Sequence, residues 1–394
     1  MTTTAAPPRT AIAVVLCWLF IVFDGYDLIV YGTVVPGIGR EWGIGKSAAG
    51  LIGSLAFLGM IAGALAGGRL ADSLGRKRVI QGCVATFSVA TVACAFATGP
   101  AAFGVLRFVA GLGLGGIVVS ANTLMTDITS PRHRPLVATV LMSGVPMGGS
   151  IAALIGIEII PSLGWRWMFA PAAIPLVFLL PLAIRYLPAH TTPRPRDAAT
   201  ASGYLAILRK PLLPLSVLFG LSVATTFITW YGLGTWLPGI MAQAGYDLGS
   251  ALTFALALNL GAVAGSSVIA WAGSRFGAIR VAAFAIGVSG VSLVAMSLGN
   301  PGTVGLYALV VAAGMGAHGA ACLVTGAVAG YYPDDLRGSG LGWAIGTGRV
   351  GAVIAPSIAG WLLSTGLPAP ASLVFFAVSA LVAAAVYLVL ARRY

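Results

Sequence analysis

Long runs of hydrophobic residues alternate with short polar breaks along the whole chain of 394 residues. A helix needs about 20 mainly apolar residues to cross a bilayer, and the runs are close to that length or longer. The pattern therefore predicts twelve membrane-spanning helices. We predict these spans at 11–36, 48–70, 79–98, 102–126, 136–160, 167–187, 212–241, 250–272, 281–298, 302–330, 339–364 and 368–390.

One long polar stretch divides the twelve spans into two sets of six. It covers residues 188–211, where arginine, lysine and aspartate interrupt the apolar pattern. We predict a solvated cytoplasmic linker there, without a core of its own. The expected domains are an N-terminal six-helix bundle over 1–187 and a C-terminal six-helix bundle over 212–394. The predicted fold class is an all-α membrane protein.

The two sets of six also repeat each other in sequence. Val-Pro-Gly-Ile at 35–38 recurs as Leu-Pro-Gly-Ile at 237–240, and Ala-Gly-Leu-Gly at 110–113 recurs as Ala-Gly-Met-Gly at 313–316. A repeat of six helices keeps the same orientation in both copies, so its symmetry axis runs along the membrane normal. This is the arrangement of parallel-repeat transporters, whose substrate site lies between the repeats near the membrane midplane.

Composition agrees with a membrane protein and changes the meaning of the charge. The chain is 58% hydrophobic and only 8% charged, whereas soluble domains carry about 25% charged residues. The net charge of +12 would suggest a nucleic-acid partner for a soluble chain, but 17 of the 22 lysines and arginines fall on one predicted side. That side is the cytoplasm by the positive-inside rule, so both termini are predicted to be cytoplasmic and no nucleic-acid partner is expected. The four cysteines lie inside apolar spans without the spacing of a metal or disulfide site.

Two carboxylates lie inside the first span. Asp24 and Asp27 are three residues apart, which places them on one face of a helix. A charged side chain at that depth costs about 2.5 to 3.5 kcal/mol on insertion scales, so the pair needs an explanation. Ion or proton handling is one explanation. A pair of structural carboxylates that hold neighbouring helices together is the other, and both stay open.

Two motifs carry a resemblance to a known family. The loop at 68–78, GRLADSLGRKR, resembles the signature loop of the major facilitator superfamily, although Ser73 stands where the family usually has a basic residue. The DGYD motif at 24–27 resembles the first-helix motif of the aromatic acid:proton symporters in that superfamily, closest to the benzoate-type members. The glycine-rich runs that follow Arg107 and Arg337 are also similar.

The resemblance implies a proton-coupled transporter that imports an aromatic carboxylate such as benzoate or a hydroxybenzoate across the bacterial inner membrane. It implies two bundles that alternate access to a central site, no enzyme activity, no cofactor, and function as a monomer in the lipid bilayer. The alternative within transport is proton-driven efflux of a drug or small metabolite by the same fold.

Three buried basic groups complete the predicted chemistry. Arg107 in the fourth span needs a counter-charge at that depth, so we predict an ion pair with Asp27 or Asp24 that serves proton coupling. Arg349 in the eleventh span is the expected partner of the substrate carboxylate, because a guanidinium can bind a carboxylate with two hydrogen bonds. His318 in the tenth span would suit a proton relay or a donor to substrate. The alternatives are a permanent structural ion pair and a hydrogen-bonded core histidine.

The ring of an aromatic acid needs apolar walls and stacking partners. Candidates near the midplane are Phe23, Tyr26, Tyr31, Phe57, Trp230, Tyr231 and Trp343. The predicted binding set contains Tyr26, Tyr31, Trp230 and Trp343, with Asn122 and Asn259 as hydrogen-bonding partners of ring substituents. Most aromatic side chains in membrane helices serve packing or interfacial anchoring, which is the alternative for each of them.

A last group of charges lies at the predicted cytoplasmic ends of the helices. We predict a gating role for Asp72, Arg76, Arg78, Asp127 and Arg134, which could bind neighbouring helix ends in one conformation and release them in another. Ordinary positive-inside anchoring is the alternative explanation for the arginines.

Overall fold

The computed structural model describes residues 8–130, 134–188, 201–299, 301–366 and 368–394, and these residues form helices and no strand. The helices are α1 (Pro8–Trp42), α2 (Lys46–Leu74), α3 (Arg76–Cys94), α4 (Pro100–Ile128), α5 (Arg134–Leu163), α6 (Leu180–Tyr186), α7 (Ala201–Ile207), α8 (Leu213–Gln243), α9 (Leu248–Phe276), α10 (Ala278–Leu298), α11 (Gly302–Ala327), α12 (Arg337–Ser364) and α13 (Ala369–Arg393). We call the helices before the linker the first half and those from α8 onward the second half.

Ten segments of the described chain are long and apolar enough to cross a membrane. They correspond to ten of the twelve predicted spans. The other two predicted spans are also long helices, α3 and α12, but both are less apolar. Helix α3 begins with Arg76, Lys77 and Arg78, and α12 carries two arginines among many glycines.

Helix α1 extends further than its sequence pattern indicates. Its predicted span stops at residue 36, whereas the helix continues through Pro36 to Trp42. A proline removes one helical hydrogen bond, but membrane helices tolerate it because neighbouring groups satisfy the freed carbonyl. The equivalent Pro238 likewise lies inside α8.

The sixth predicted span and the linker differ most from expectation. The segment Trp165–Tyr186 is a 3-10 turn, a π turn and the short helix α6 in succession, because several prolines interrupt a regular helix. The linker contains α7, whose Ile207 is fully buried and accepts a hydrogen bond from Ser216 of α8 at 2.8 Å. The later part of the linker therefore packs on the second half instead of lying free in solvent.

The backbone repeats the internal similarity of the sequence. Three pairs of glycines adopt positive φ angles at positions 202 residues apart, where connections between helices turn. The pairs are Gly43 with Gly245, Gly75 with Gly277, and Gly164 with Gly366. The same turns are therefore made twice.

Helix packing repeats as well. A Cβ added to Gly63 of α2 would lie 2.0 Å from the Leu112 carbonyl oxygen of α4, and one added to Gly265 of α9 would lie 2.5 Å from the Met315 carbonyl oxygen of α11. Glycine lets the two backbones approach closely in both copies. The glycines of α2 and of its copy α9 therefore form packing faces.

Contacts between the two halves follow the same symmetry. Helix α2 packs on α12, α5 packs on α9, and α1 packs on α8. The repeat relates α2 to α9 and α5 to α12, so the first two contacts are equivalent and the third relates α1 to its own copy. The region between the halves is therefore bounded by α1, α2, α5 and their copies.

Candidate functional site

Asp27 and Arg107 form a buried ion pair inside the first half. Nη1 of Arg107 lies 2.7 Å from Oδ2 of Asp27, and its Nη2 donates to the Asp27 carbonyl oxygen at 3.1 Å. Both side chains are only 1% exposed. Thr91 of α3 donates to the other carboxylate oxygen of Asp27 at 2.6 Å. Both oxygens of Asp27 are therefore bonded, and its charge is balanced by a neighbour in its own half.

Tyr31 completes this group. The centre of the Arg107 guanidinium lies 5.6 Å from the centroid of the Tyr31 ring, within cation–π range. The Tyr31 hydroxyl donates to the Ala49 carbonyl oxygen of α2. The structure thus brings Tyr31 to the Asp27–Arg107 pair, not to Arg349.

Asp24 lies one turn earlier on α1 and is in a different situation. Its side chain is 2% exposed, and its Oδ1 atom has no hydrogen-bond partner among the residues that the structure describes. Arg349 and Asp27 are the charged side chains that act on it electrostatically. A buried carboxylate oxygen without a donor is costly, which makes Asp24 a candidate for protonation or ligand binding.

Arg349 of α12 faces the first half from the second. Its Nη1 lies 3.7 Å from the thioether sulfur of Met60 on α2, and its guanidinium interacts with the Tyr231 hydroxyl of α8. Among the described residues, no carboxylate lies within ion-pair distance of it. Arg349 is therefore a half-buried cation between the halves whose close partners are neutral.

His318 of α11 lies beside Trp230 of α8. The two ring centroids are 4.6 Å apart, and Nε2 of His318 lies 3.4 Å from the Cys322 sulfur. Its Nδ1 has no hydrogen-bond partner, although the Met142 backbone of α5 is a neighbour. Trp230 precedes Tyr231 on α8, and Cys322 is a neighbour of Tyr231, so this pair of rings adjoins Arg349. We call the following set the central group: Asp24, Met60, Trp230, Tyr231, His318, Cys322 and Arg349.

Four other predicted binding residues lie outside that central group. The Tyr26 hydroxyl donates to the Met168 carbonyl oxygen within the first half at 2.7 Å, and Nε1 of Trp343 donates to the Ser216 carbonyl oxygen within the second half at 2.7 Å. The Asn259 amide oxygen faces Gly149 where α9 meets α5. Asn122 lines a small pocket between α4 and α5. Their roles in binding remain predictions.

The predicted gating charges are only partly described. Arg76 at the start of α3 forms an ion pair with Asp127 near the end of α4, and its Nη1 donates to the Thr123 carbonyl oxygen at 3.0 Å. This pair lies within the first half. Arg78 is exposed. The side chains of Asp72 and Arg134 lie outside the described residues, so their gating role stays a prediction.

The two halves are closed against each other at one end of the molecule. We call it the Trp42 end, where α1 meets α2, and we call the opposite end, where α2 meets α3, the Gly75 end. Towards the Trp42 end, Oγ of Ser54 on α2 bonds to the Val353 carbonyl oxygen at 2.5 Å and lies 2.7 Å from Oγ of Ser357 on α12. Lys46 donates to the side chain of Gln243 at 2.7 Å.

The Arg349 side of α12 is more open towards the Gly75 end. Gly346 lies one turn from Arg349 on the same helix face. A Cβ added there would meet no atom within 4 Å. Ala138 and Thr126, which line the pocket near Asn122, are exposed. The central group therefore lies between a closed end and a more open one.

Comparison with known proteins places the chain in a family. It matches the family model of the Major Facilitator Superfamily over residues 17–268, well over half its length. It is 46% identical to the gentisate transporter of Corynebacterium glutamicum, a match that covers 98% of this chain and 88% of that protein. The chain belongs to the major facilitator superfamily.

Two further comparisons agree with this membership. The benzoate transport protein of Acinetobacter baylyi is 34% identical, with 90% of this chain and 84% of that protein covered. The crystal structure of a D-xylose-proton symporter superposes with a TM-score of 0.78 at 16% identity, covering 96% and 97% of the two chains, which shows the fold alone. The predicted resemblance to the superfamily and to its aromatic acid transporters is confirmed. The prediction that the protein is a transporter and not an enzyme is confirmed as well.

Sequence reasoning missed several members of the central group. Met60 and Cys322 were not predicted as site residues, and Tyr231 was a candidate that the predicted binding set left out. Within the Asp27 group, Thr91 was also missed. A threonine in an apolar helix gives little signal, because its hydroxyl usually bonds to its own helix.

Proposed function

We propose that this protein is a proton-coupled secondary transporter that imports an aromatic carboxylate across the bacterial inner membrane. The supporting relatives are a gentisate transporter and a benzoate transport protein, both from bacteria. The substrate class of the proposal is therefore a benzoate that carries zero, one or two ring hydroxyls. Efflux, the alternative direction, gains no support from these relatives.

The observation that carries the proposal is the state of Arg349. It is a half-buried guanidinium between the halves, and no carboxylate of the described residues is bonded to it. Such a cation can bind a substrate carboxylate with two hydrogen bonds. Met60 contacts the guanidinium, and Phe57 and Phe227 pack against the ring of the neighbouring Tyr231; these side chains would supply apolar walls for the substrate ring.

Proton coupling is assigned to the carboxylates of α1. Asp27 is already bonded to Arg107 and Thr91. Oδ1 of Asp24 has no donor, so a proton can bind there without displacing one. A neutral Asp24 also does not compete with the substrate anion for the positive charge of Arg349. We therefore assign the coupled proton to Asp24 in this conformation and the balancing of Arg107 to Asp27.

The proposed architecture is twelve membrane-spanning helices in two six-helix bundles, with α3 and α12 as the two less apolar spans. The symmetric contacts between the halves support it. Arginine and lysine concentrate at the Gly75 end, so we assign that end, and both termini, to the cytoplasm. In this orientation the protein is closed towards the outside. We propose that it works as a monomer, since each chain contains both halves of the site.

In the proposed cycle, Arg349 and its neighbours are accessible first from the outside and then from the cytoplasm. Facing outward, the protein binds a proton on Asp24 and the substrate anion on Arg349. The loaded halves rock, and the Ser54–Ser357 contact closes the outer side while the Gly75 end opens. The anion and proton then leave to the cytoplasm. Reorienting a neutral carboxyl and a compensated anion costs less than moving bare charges through a low-dielectric region.

The test is uptake into proteoliposomes that contain the purified protein. Labelled benzoate and labelled gentisate are presented outside, with or without a pH gradient that is acidic outside. We expect accumulation above the outside concentration only with the gradient, and its collapse when a protonophore is added. Equal accumulation with and without the pH gradient would refute proton coupling. If neither compound were transported, the proposed substrate class would be wrong.

A further inference from the structure

Tyr231 is the neighbour of Arg349 that has no role in the proposed cycle so far. Its hydroxyl interacts with the Arg349 guanidinium, and Asp24 lies within electrostatic range of both side chains. It therefore stands at the contact between the coupling carboxylate of the first half and the cation of the second half.

The ring of Tyr231 is held by aromatic contacts from both halves. Its centroid lies 5.0 Å from that of Phe57 on α2 in an edge-on arrangement, and 5.4 Å from that of Phe227, one turn earlier on α8. Edge-to-face pairs at these distances are favourable and fix the orientation of a ring. The hydroxyl is consequently presented to Arg349 from a defined direction. The adjacent Trp230 turns to His318 instead.

The other contact of Arg349 is weak. The thioether sulfur of Met60 lies 3.7 Å from Nη1 and is a poor acceptor. A direct pair with Asp24 would be much stronger, yet Oδ1 of Asp24 has no hydrogen-bond partner. The Arg349 guanidinium thus lies near the Asp24 carboxylate without forming an ion pair with it. Tyr231 is the polar group that interacts with the guanidinium there.

We infer that Tyr231 is a positioning residue for substrate binding: its hydroxyl holds the Arg349 guanidinium away from Asp24 and donates a second hydrogen bond to the substrate carboxylate. The inference rests on the proposed role of Arg349. Without the hydroxyl, Arg349 can close on Asp24, and a substrate anion must then compete with that carboxylate. Tyr231 would in this way keep the coupling site and the binding site separate.

The test measures binding of benzoate and of gentisate to the purified full chain in nanodiscs by calorimetry. Tyr231→Phe removes one oxygen and keeps the ring contacts. We expect the Kd for both compounds to rise about tenfold or more, as for loss of a hydrogen bond to a charged group. Tyr307→Phe is the matched control, because it removes a hydroxyl bonded to Thr253 away from Arg349, and it should leave both Kd values unchanged.

A double-mutant cycle separates positioning from general packing. If Tyr231 positions the guanidinium fork, Tyr231→Phe should have a smaller effect in an Arg349→Lys background than in the wild-type protein. Full additivity of the two losses would overturn the positioning role, and a wild-type Kd in Tyr231→Phe would overturn both roles of Tyr231. Failure of the wild-type protein to bind either compound would instead overturn the proposed function, and this inference with it. Thermal unfolding of each variant confirms that the compared proteins are folded.

Discussion

Arg107 and Arg349 lie inside long helices, one in each half, but their surroundings differ. Arg107 is 1% exposed and bonded to Asp27, with both partners in the first half. Arg349 is half-buried, faces the other half, and has a thioether and a phenol as close partners. A cation neutralised inside one half can move with that half as a unit. A cation between the halves, with weak partners, is available to a ligand that joins them.

The repeat sharpens this contrast. The position equivalent to Arg107 in the second half is Val310, and the position equivalent to Arg349 in the first half is Pro146. Asp24 likewise has Thr226 as its counterpart. The glycine turns and helix contacts occur twice, whereas Arg107, Arg349 and Asp24 each occur in one half only. The scaffold is therefore symmetric, and the chemistry is divided between its two copies.

The largest effect is expected from neutralising the carboxylates. Asp24→Asn and Asp27→Asn should each abolish proton-driven accumulation of benzoate in proteoliposomes. Asp27→Asn should also destabilise the protein, because Arg107 then keeps a buried charge without its carboxylate, whereas Asp24→Asn should stay stable and still exchange labelled substrate without a gradient. Wild-type accumulation by Asp24→Asn would remove Asp24 from the proton path, and wild-type accumulation by Asp27→Asn would show that transport does not need Asp27 to balance Arg107.

Truncating the two arginines should separate their roles in stability. Arg107→Leu leaves Asp27 as an unpaired buried charge, which costs about 3 to 5 kcal/mol. Arg349→Leu should cost clearly less, since no carboxylate of the described residues is bonded to Arg349. Thermal and denaturant unfolding in detergent measure both variants side by side. Equal losses would mean that Arg349 is a structural cation like Arg107.

Keeping the charge of Arg349 while removing its fork should give a smaller effect. Arg349→Lys retains a cation but cannot form two parallel hydrogen bonds with a carboxylate. We expect the Kd for benzoate to rise about tenfold, equivalent to about 1.4 kcal/mol. An unchanged Kd in calorimetry would mean that the substrate carboxylate is held elsewhere.

The smallest effect concerns the hydroxyl that bonds to Asp27. Thr91→Val removes the donor to Oδ1 and should lower the free energy of unfolding by about 1 kcal/mol. Thr86→Val on the same helix is the control, because that hydroxyl is exposed and bonds only to its own helix. If the two variants lose the same stability, Thr91 contributes nothing particular to the ion pair.

The sequence predicted the spans and the charged residues better than the side-chain directions. Charges inside apolar runs are rare and costly, so an ion pair between Arg107 and Asp24 or Asp27 could be predicted, but only the structure shows that the partner is Asp27. The first predicted span stops at residue 36, whereas α1 continues to Trp42, because a single proline does not end a membrane helix. Trp230 and Tyr231 are neighbours in sequence but point in different directions on α8, and only packing decides which one meets Arg349.

A structure of the protein with gentisate bound tests the division between the two arginines most directly. We predict the gentisate carboxylate within hydrogen-bond distance of Arg349 and Tyr231, with the Asp27–Arg107 pair still closed. A carboxylate bonded to Arg107, with Asp27 displaced, would contradict the account.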